Sequence, residues 1–435
     1  MKKAAKKKAP DSAAIIAEAQ RLMDSQFLTD AIALLEPLDG NPEADYRRAG
    51  LLLVLNRPAE AEILFRRLLT IVPDHLDTIV GLAGSLVGLG RPREALPLLK
   101  HAVQVLPNSG RIAYLAGVAL EEAGLQPESE AQLAKARALV IAPAERRNLV
   151  PYEIYVQLSR RCNLHCTMCG WEIWKDNSGF MEEPVFERVI AEAKACGIKT
   201  MHILAGQGEP FLHPRIFECL ERAVAEGFEV GIVTNGTPFT PQRIERLAKV
   251  GLAYLQFSFA GWDAESYESV YVGAKFDKAI TTMKAIHKAL SGTKTKFVVK
   301  AVALGDWQEN LHKTKAFLAT QGIHQVYTVQ ANNFGGSVQS GQLHERHGVW
   351  TLKDIDHHRL MPCRIFLKAV GVFCDGTVTA CGCYDSNALL KIGNIMDQGL
   401  AEIRNGETYR RILDGFRKGC VKDVPMCGKC DDPFG

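Results

Sequence analysis

The chain of 435 residues reads as an α/β protein in three parts, and three observations carry that reading. Residues 152–330 alternate β-prone runs with helical stretches, the pattern of parallel strands joined by crossover helices. Before them, helical segments recur every 34 residues, the mark of a stacked α-solenoid. After them comes a small region with a hairpin signal and a second group of cysteines. The expected parts are a disordered basic tail over 1–11, a solenoid over 12–142, a β/α domain over 150–335 and a small cysteine-bearing domain over 360–435.

The tail opens Met1-Lys-Lys-Ala-Ala-Lys-Lys-Lys. A secretory leader would continue with an unbroken apolar run, but Glu18, Gln20, Arg21 and Asp24 interrupt it. No segment reads as a membrane span. In the solenoid, Asn56, Gly90 and Gly124 stand 34 residues apart, as do Pro73 and Pro107, and as do Ala61, Ala95 and Ser129. Small residues let paired helices approach closely, and each proline stops the second helix of a pair. The segments Ala59-Glu-Ala-Glu-Ile-Leu-Phe and Arg93-Glu-Ala-Leu-Pro-Leu-Leu align, and a shorter unit near Ala31-Ile-Ala-Leu-Leu begins the stack. The pattern resembles tetratricopeptide repeats. It has two readings: a groove that docks a peptide or protein, and a structural cap or dimer surface. Ala142-Pro-Ala-Glu-Arg-Arg-Asn-Leu-Val-Pro151 reads as the linker that follows.

Strand-like runs at 152–158, 200–204, 230–234, 253–258, 297–303 and 325–330 alternate with helical stretches at 183–196, 213–227, 241–250, 276–290 and 307–321. Thr240-Pro241 supplies an N-cap followed by proline at the first helical position. In parallel barrels, sites gather at the carboxyl ends of the strands. The first run leads into Cys162-Asn-Leu-His-Cys166-Thr-Met-Cys169. Cysteines at this spacing fold as one loop with the sulfurs inward. Such a loop can ligate three irons of a [4Fe–4S] cluster and leave the fourth open to a substrate or cofactor. Zinc sites instead pair Cys-x-x-Cys knuckles across a longer gap. Three later segments end strand-like runs: Gly206-Gln-Gly-Glu-Pro210, Thr234-Asn-Gly236 and Ser258-Phe-Ala-Gly261.

Together these motifs resemble the radical S-adenosylmethionine (SAM) superfamily. The resemblance implies a partial, open (β/α)6 TIM-like barrel. It implies a cluster on Cys162, Cys166 and Cys169 whose open iron chelates the amino and carboxylate groups of SAM. One electron then cleaves SAM to a 5′-deoxyadenosyl radical, which abstracts hydrogen from a substrate. The hard chemistry belongs to the cofactor, and the protein orients and encloses it. The resemblance further implies SAM contacts at Gly206, Gly208, Glu209 and Pro210 near the amino group, at Asn235, and at Ser258 near the ribose. Two departures stand out. Gln207 occupies the place of the first glycine in the family's Gly-Gly-Glu-Pro element, and the aspartate usual after Ser258 is missing.

The last third offers Cys363, Cys381 and Cys427-Gly-Lys-Cys430, with Asp375-Gly376 as a hairpin turn. Four thiolates converging from a hairpin and a terminal knuckle can fully ligate one [4Fe–4S] cluster. This layout, with Ile392-Gly-Asn-Ile395 and Ala401-Glu-Ile-Arg-Asn, resembles the auxiliary-cluster domains called SPASM and twitch. With the barrel, the resemblance spans roughly 150–431. Full SPASM domains hold two clusters and carry further cysteines past the knuckle. Seven cysteines follow the barrel here where two clusters need eight, so one auxiliary cluster is expected. Cys383 and Cys420 are read as packing residues, with substitute ligation as the alternative. Cys374 precedes the turn and is weighed as a hydrogen donor. Cys196 and Cys219 read as helix core residues, and His165 and His213 as loop hydrogen-bonding residues.

Twelve cysteines without a secretory signal point to a reducing compartment, hence a cytoplasmic protein that ligates metal. A net charge of +3 implies no polyanionic partner. The expected function is a radical SAM enzyme with one SAM-binding and one auxiliary [4Fe–4S] cluster, supplied by a one-electron reductant such as flavodoxin or ferredoxin. Relatives with this layout include peptide maturases and dehydrogenases of sugar or cyclitol alcohols, and both substrates stay open. An RNA- or nucleotide-modifying enzyme is the alternative, against which stands the missing basic RNA-binding domain. A non-catalytic repeat scaffold is opposed by the intact cysteine triad. The residues identify no catalytic base.

Overall fold

The computed structural model describes residues 12–24, 28–170, 174, 179–204, 208–331, 334, 361–382 and 384–430. Two compact units divide the chain, Met1–Val140 and Ile141–Gly435.

The first unit contains α1 (Ser12–Asp24), α2 (Leu28–Leu35), α3 (Pro42–Val54), α4 (Pro58–Ile71), α5 (Leu76–Gly88), α6 (Pro92–Val105), α7 (Gly110–Glu122) and the start of α8 (Gln126–Arg146). The 34-residue period has a backbone cause. Asn56, Gly90 and Gly124, each between the two helices of a pair, take φ of 55°, 68° and 83°. A left-handed residue at this point ends one helix and aims the next within three residues, and glycine or asparagine adopts it at least cost. Ala61 and Ala95 are fully buried, and Ser129 donates its hydroxyl to the Gly117 carbonyl at 2.9 Å. The stretch read as linker is helical as far as Arg146. Ile141 and Ala144 are buried, so packing outweighs the hydrogen bond that Pro143 forfeits.

In the second unit, β1 (Glu153–Val156), β2 (Thr200–Ile203), β3 (Glu229–Thr234), β4 (Tyr254–Ser258), β5 (Lys296–Ala303) and β6 (Val326–Gln330) pair in that order, all parallel. Between them run α9 (Glu183–Ala195), α10 (Ile216–Ala225), α11 (Pro241–Val250), α12 (Ala264–Glu268), α13 (Phe276–Leu290) and α14 (Trp307–Thr320). Successive strand residues point to opposite faces. Ile154, Val156, Met201, Ile203, Val230, Ile232, Leu255 and Phe257 are buried in the main core. The alternate set, Tyr155, His202, Gly231, Tyr254 and Gln256, faces a cavity that all six strands line, so the sheet curls as a partial barrel.

The chain after the barrel does not form a sheet of its own. After α15 (Arg364–Lys368), β7 (Ala369–Val372) pairs parallel with β1 on the side away from β2, Glu153 opposite Ala369 and Val156 opposite Val372. β8 (Thr377–Thr379) and β9 (Lys391–Asn394) continue antiparallel, giving one nine-stranded sheet in the order β6-β5-β4-β3-β2-β1-β7-β8-β9. α16 (Leu400–Asn405) and α17 (Glu407–Lys418) follow.

Arg404 locks this junction. Its fully buried guanidinium donates to the carbonyls of Leu149 (2.9 Å), Phe366 (2.9 Å), Leu367 (2.9 Å) and Ala369 (3.1 Å), and lies 4.0 Å from the Tyr409 ring centre. Two of these carbonyls, of Phe366 and Leu367, belong to the end of α15, where helical partners run out, and that of Ala369 follows directly at the start of β7. Arg404→Met should strand them and lower stability by about 3 kcal/mol, a typical cost for losing charged hydrogen bonds in a core. Urea unfolding measures it. Arg404→Lys should restore only part, because one ammonium cannot span the four acceptors. Unchanged midpoints in both variants would remove Arg404 as the lock.

Candidate active site

The cysteine loop leaves the carboxyl end of β1. Main-chain bonds hold its shape: His165 N–H to Val272 O at 3.0 Å, Thr167 N–H to Val270 O at 3.0 Å, and Cys169 N–H to Cys166 O at 3.0 Å. Cys162, Cys166 and Cys169 are each partly buried. Burial, followed by the neighbouring Cys169 and Cys162, drives the Cys166 thiol far above its ordinary range. The three sulfurs therefore sit near enough to repel one another as thiolates. A bound cation is what relieves such a group.

Orphaned polar atoms surround it. Tyr267 and Tyr271 are buried and stacked 4.8 Å apart, and their hydroxyls have no hydrogen-bond partner. Burial, then the nearby Cys166, raises both phenols. Thr167 Oγ1, inside the loop, is also unpartnered. Buried hydroxyls without acceptors are costly, and the sulfides of an iron–sulfur cluster are acceptors. Among the described residues no three His, Cys, Asp or Glu side chains converge as a single ion would require. Three partly buried thiols on one loop suit a [4Fe–4S] cluster with an open iron.

The rim comes from the ends of β2 and β3. Gly206 lies outside the described residues. Gly208 has φ 94°, and a Cβ there would stand 1.9 Å from the Ser159 carbonyl oxygen, so only glycine fits. Glu209 N–H donates to Arg161 O at 2.7 Å, which stitches this segment to the start of the cysteine loop. The Glu209 carboxylate is buried. It accepts from Thr234 Oγ1 (2.7 Å), Asn235 N (2.7 Å) and Phe211 N (3.1 Å). Burial outweighs these donors and pushes it up to about 7. Pro210 opens a buried 3₁₀ turn to Leu212. Asn235 Nδ2 donates to Asn163 Oδ1 at 3.2 Å and contacts Cys162 Sγ at 3.9 Å. Gly208, Glu209 and Asn235 are thus brought to the loop. Ser258 is half-buried at the end of β4, opposite Lys300, apart from this network. Thr234 and Asn163 lie within the motifs quoted from the sequence but were given no role there, since hydrogen-bond partners of this kind carry no spacing signal.

A second set of thiols meets at the other end of β7. Cys363, Cys381, Cys427 and Cys430 line one cavity with Phe366, Tyr384 and Phe416. Burial first, then Cys363 and Cys430, raises the Cys427 thiol far above its ordinary range. The knuckle needs its glycine, because a Cβ on Gly428 would stand 2.1 Å from the Lys422 carbonyl oxygen. Buried Asp385 shapes the return to β9, accepting from Leu389 N and Leu390 N at 2.8 Å each. Cys374 is buried, raised to about 12 chiefly by burial, and its thiol donates to Gln157 O at 3.1 Å. Cys383 lies outside the described residues. Cys420, expected to pack, is exposed: it follows the left-handed Gly419 that ends α17 and turns the chain outward. Cys196 and Cys219 pack against the barrel core. His213 is buried, with Nε2 on Met181 O (2.9 Å) and Nδ1 accepting from Arg215 N (3.1 Å).

The barrel interior holds groups that sequence reasoning missed. Its cavity is about 350 Å³. His202 bonds Tyr254 Oη through Nδ1 at 2.5 Å and Glu153 Oε2 through Nε2 at 3.2 Å. Gly231 makes room for Tyr254, whose Cζ lies 2.0 Å from where a Cβ would be. The signal was present: polar residues fall at every second strand position, Glu153 and Tyr155, His202, then Tyr254 and Gln256. Ile365 and Tyr384 line both this cavity and the Cys427 cavity. Another cavity, of about 490 Å³, opens beyond β4 and β5. Its wall includes Trp262, Val302, Thr314 and Val270, the residue whose carbonyl holds Thr167.

Residues 156–302 match the radical SAM superfamily model, residues 363–431 an iron–sulfur cluster-binding domain, and residues 16–75 and 80–144 a tetratricopeptide repeat. A tungsten-containing aldehyde ferredoxin oxidoreductase cofactor-modifying protein of Pyrococcus furiosus is 34% identical over 105 residues, 24% of this chain and 30% of that protein. A PqqA peptide cyclase of Granulibacter bethesdensis is 29% identical over 121 residues, 28% of this chain and 32% of that protein. The match thus spans about a third of either relative's length. The crystal structure of Streptococcus suis SuiB bound to precursor peptide SuiA aligns with TM-score 0.49 and 16% identity, covering 74% of this chain and 83% of that one.

Glu209 gives a pH test. Its folded value, about 7, lies above the ordinary 4.5. Its contribution to stability is therefore full below about pH 4.5 and is lost as pH rises through 7, by about 3 kcal/mol for a shift of this size. Urea unfolding of the cluster-free protein, with Glu209→Gln as the reference, should show the wild type losing ground between these values. Parallel pH curves would contradict the burial argument.

Proposed function

We propose that this chain, which carries a radical SAM domain, an iron–sulfur cluster-binding domain and tetratricopeptide repeats, reductively cleaves SAM and abstracts hydrogen from a peptide or protein during its maturation. The observation that carries the reading is the set of three partly buried thiols on one loop, ringed by orphaned hydroxyls and tied to Glu209 through Asn235. Cys162, Cys166 and Cys169 would hold the SAM-binding [4Fe–4S] cluster, and Cys363, Cys381, Cys427 and Cys430 one auxiliary [4Fe–4S] cluster. When bound, the first supplies one-electron reduction of SAM to a 5′-deoxyadenosyl radical, and the second an electron relay for the substrate.

The chain's own residues bind, orient and exclude water. Gly206, Gly208, Glu209 and Pro210 are assigned to SAM's amino group, Asn235 to its neighbourhood and Ser258 to its ribose. The barrel cavity is assigned to the reacting part of the substrate. It is enclosed by six strands and shares Ile365 and Tyr384 with the second thiol cavity. A peptide substrate is favoured by two things. Relatives include PqqA peptide cyclases, and stacked repeats present extended surfaces suited to chains. The reductant is a one-electron donor of the flavodoxin or ferredoxin kind.

Two outcomes test this on anaerobically reconstituted protein. Cys166→Ala should lower reductive formation of 5′-deoxyadenosine to background, with iron and sulfide falling by one cluster of the two. Wild-type rates in that variant would sink the assignment. Cys427→Ala/Cys430→Ala should keep forming 5′-deoxyadenosine but lose the second cluster's spectrum and most of the final product. Normal product yield without that cluster would reduce it to a structural staple.

A further inference from the structure

We propose that the barrel cavity contains an oxyanion-binding subsite, formed by Lys300, Arg364 and Lys368, which selects a substrate bearing a carboxylate or phosphate. The proposal rests on the reading that the cavity receives the substrate. All three side chains line it. Lys300 sits partly buried on β5, inside the barrel. Arg364 and Lys368 are four residues apart on α15, which places them on one helical face. None of the three forms an ion pair among the described residues.

Among the described residues the same wall contains one carboxylate, and it is already engaged. Glu153 accepts from His202, whose second ring nitrogen is taken by Tyr254. His202 first, and then Lys368 and Arg364, hold the Glu153 carboxyl below its ordinary value, so both cations lie within its field. Three cations facing one bonded carboxylate leave a positive surplus. The remaining polar lining is Tyr155, Gln256, Tyr327 and Tyr384, all neutral. Of the three, Lys300 is partly buried and Arg364 and Lys368 are exposed; a partly desolvated ammonium without a counter-ion is unfavourable, and a guanidinium fork matches a planar carboxylate or a phosphate. An acceptor-rich anion satisfies the whole set. Neutral sugars and amines do not. About 350 Å³ admits an acidic side chain with its neighbouring backbone.

The test is isothermal titration of reconstituted full-length enzyme, at low salt, with glutarate and separately with inorganic phosphate. One of them should bind with a stoichiometry of one. Preference for glutarate identifies a carboxylate substrate, and preference for phosphate a phosphorylated one. Lys300→Gln and Arg364→Gln/Lys368→Gln should each weaken binding by about tenfold or more, the effect of losing one charged hydrogen bond. Glu153→Gln should tighten it, because the competing carboxylate is gone. Arg364 adjoins Cys363, so Lys300→Gln is the variant to rely on if the double variant loses a cluster. Binding of neither probe, or binding that Lys300→Gln leaves unchanged, would overturn the subsite. The two readings separate cleanly. A wild type that binds the probe without cleaving SAM keeps the subsite and loses the radical assignment. One that cleaves SAM and binds neither probe does the reverse.

Discussion

The pairing of β1 with β7 is the constraint on which the rest of the second unit depends. Four residues of each strand run side by side in parallel, from Glu153 opposite Ala369 to Val156 opposite Val372. The triad loop leaves the carboxyl end of β1. Cys363 precedes α15 and the amino end of β7, and Cys381 follows β8, which returns antiparallel to that same end. The two thiol sets therefore lie beyond opposite ends of one strand pair, which is about 13 Å long for four residues. Tyr152 N–H on Lys368 O (2.7 Å) and the Arg404 lock fix the register at one end, and Gln157 N–H on Val372 O (2.9 Å) fixes it at the other.

The site itself is locally unfavourable. Three crowded thiols, three orphaned hydroxyls, a buried carboxylate and a partly buried lysine without an ion pair among the described residues all collect here. Functional sites are where such conflicts collect, and the surrounding core must offset them. Here the offset is the continuous apolar layer from Ile154 and Val156 through Met201, Val230, Leu255 and Val299, all at or near zero exposure. Ligands that supply positive charge or acceptors convert the conflict into binding energy.

What the sequence revealed was what lies close along the chain. The two cysteine groups, the Gly-Glu-Pro segment and the 34-residue turn positions are contiguous or periodic, so spacing alone locates them. What it concealed is long-range. The β1–β7 pairing joins segments more than 200 residues apart, and no local pattern announces a partner. Glu153, His202 and Tyr254 come from three different strands and meet only once the sheet curls. α8 passes Pro143 because burial of its neighbours overrides propensity. Cys420 turned outward because a left-handed glycine redirected the chain, a choice invisible at the cysteine itself.

Gly208 and Gly428 each press on a carbonyl oxygen at under 2.2 Å from an imagined Cβ. Neither position has freedom to vary, so the backbone is held tightly at one point beside each thiol set. The strands between them are different. Their outward residues fill the core while their inward residues line the cavity, and alternate positions can change almost independently. Evolvability in this architecture is therefore unevenly distributed. A lineage can explore new substrates one inward side chain at a time, without disturbing the backbone at either end.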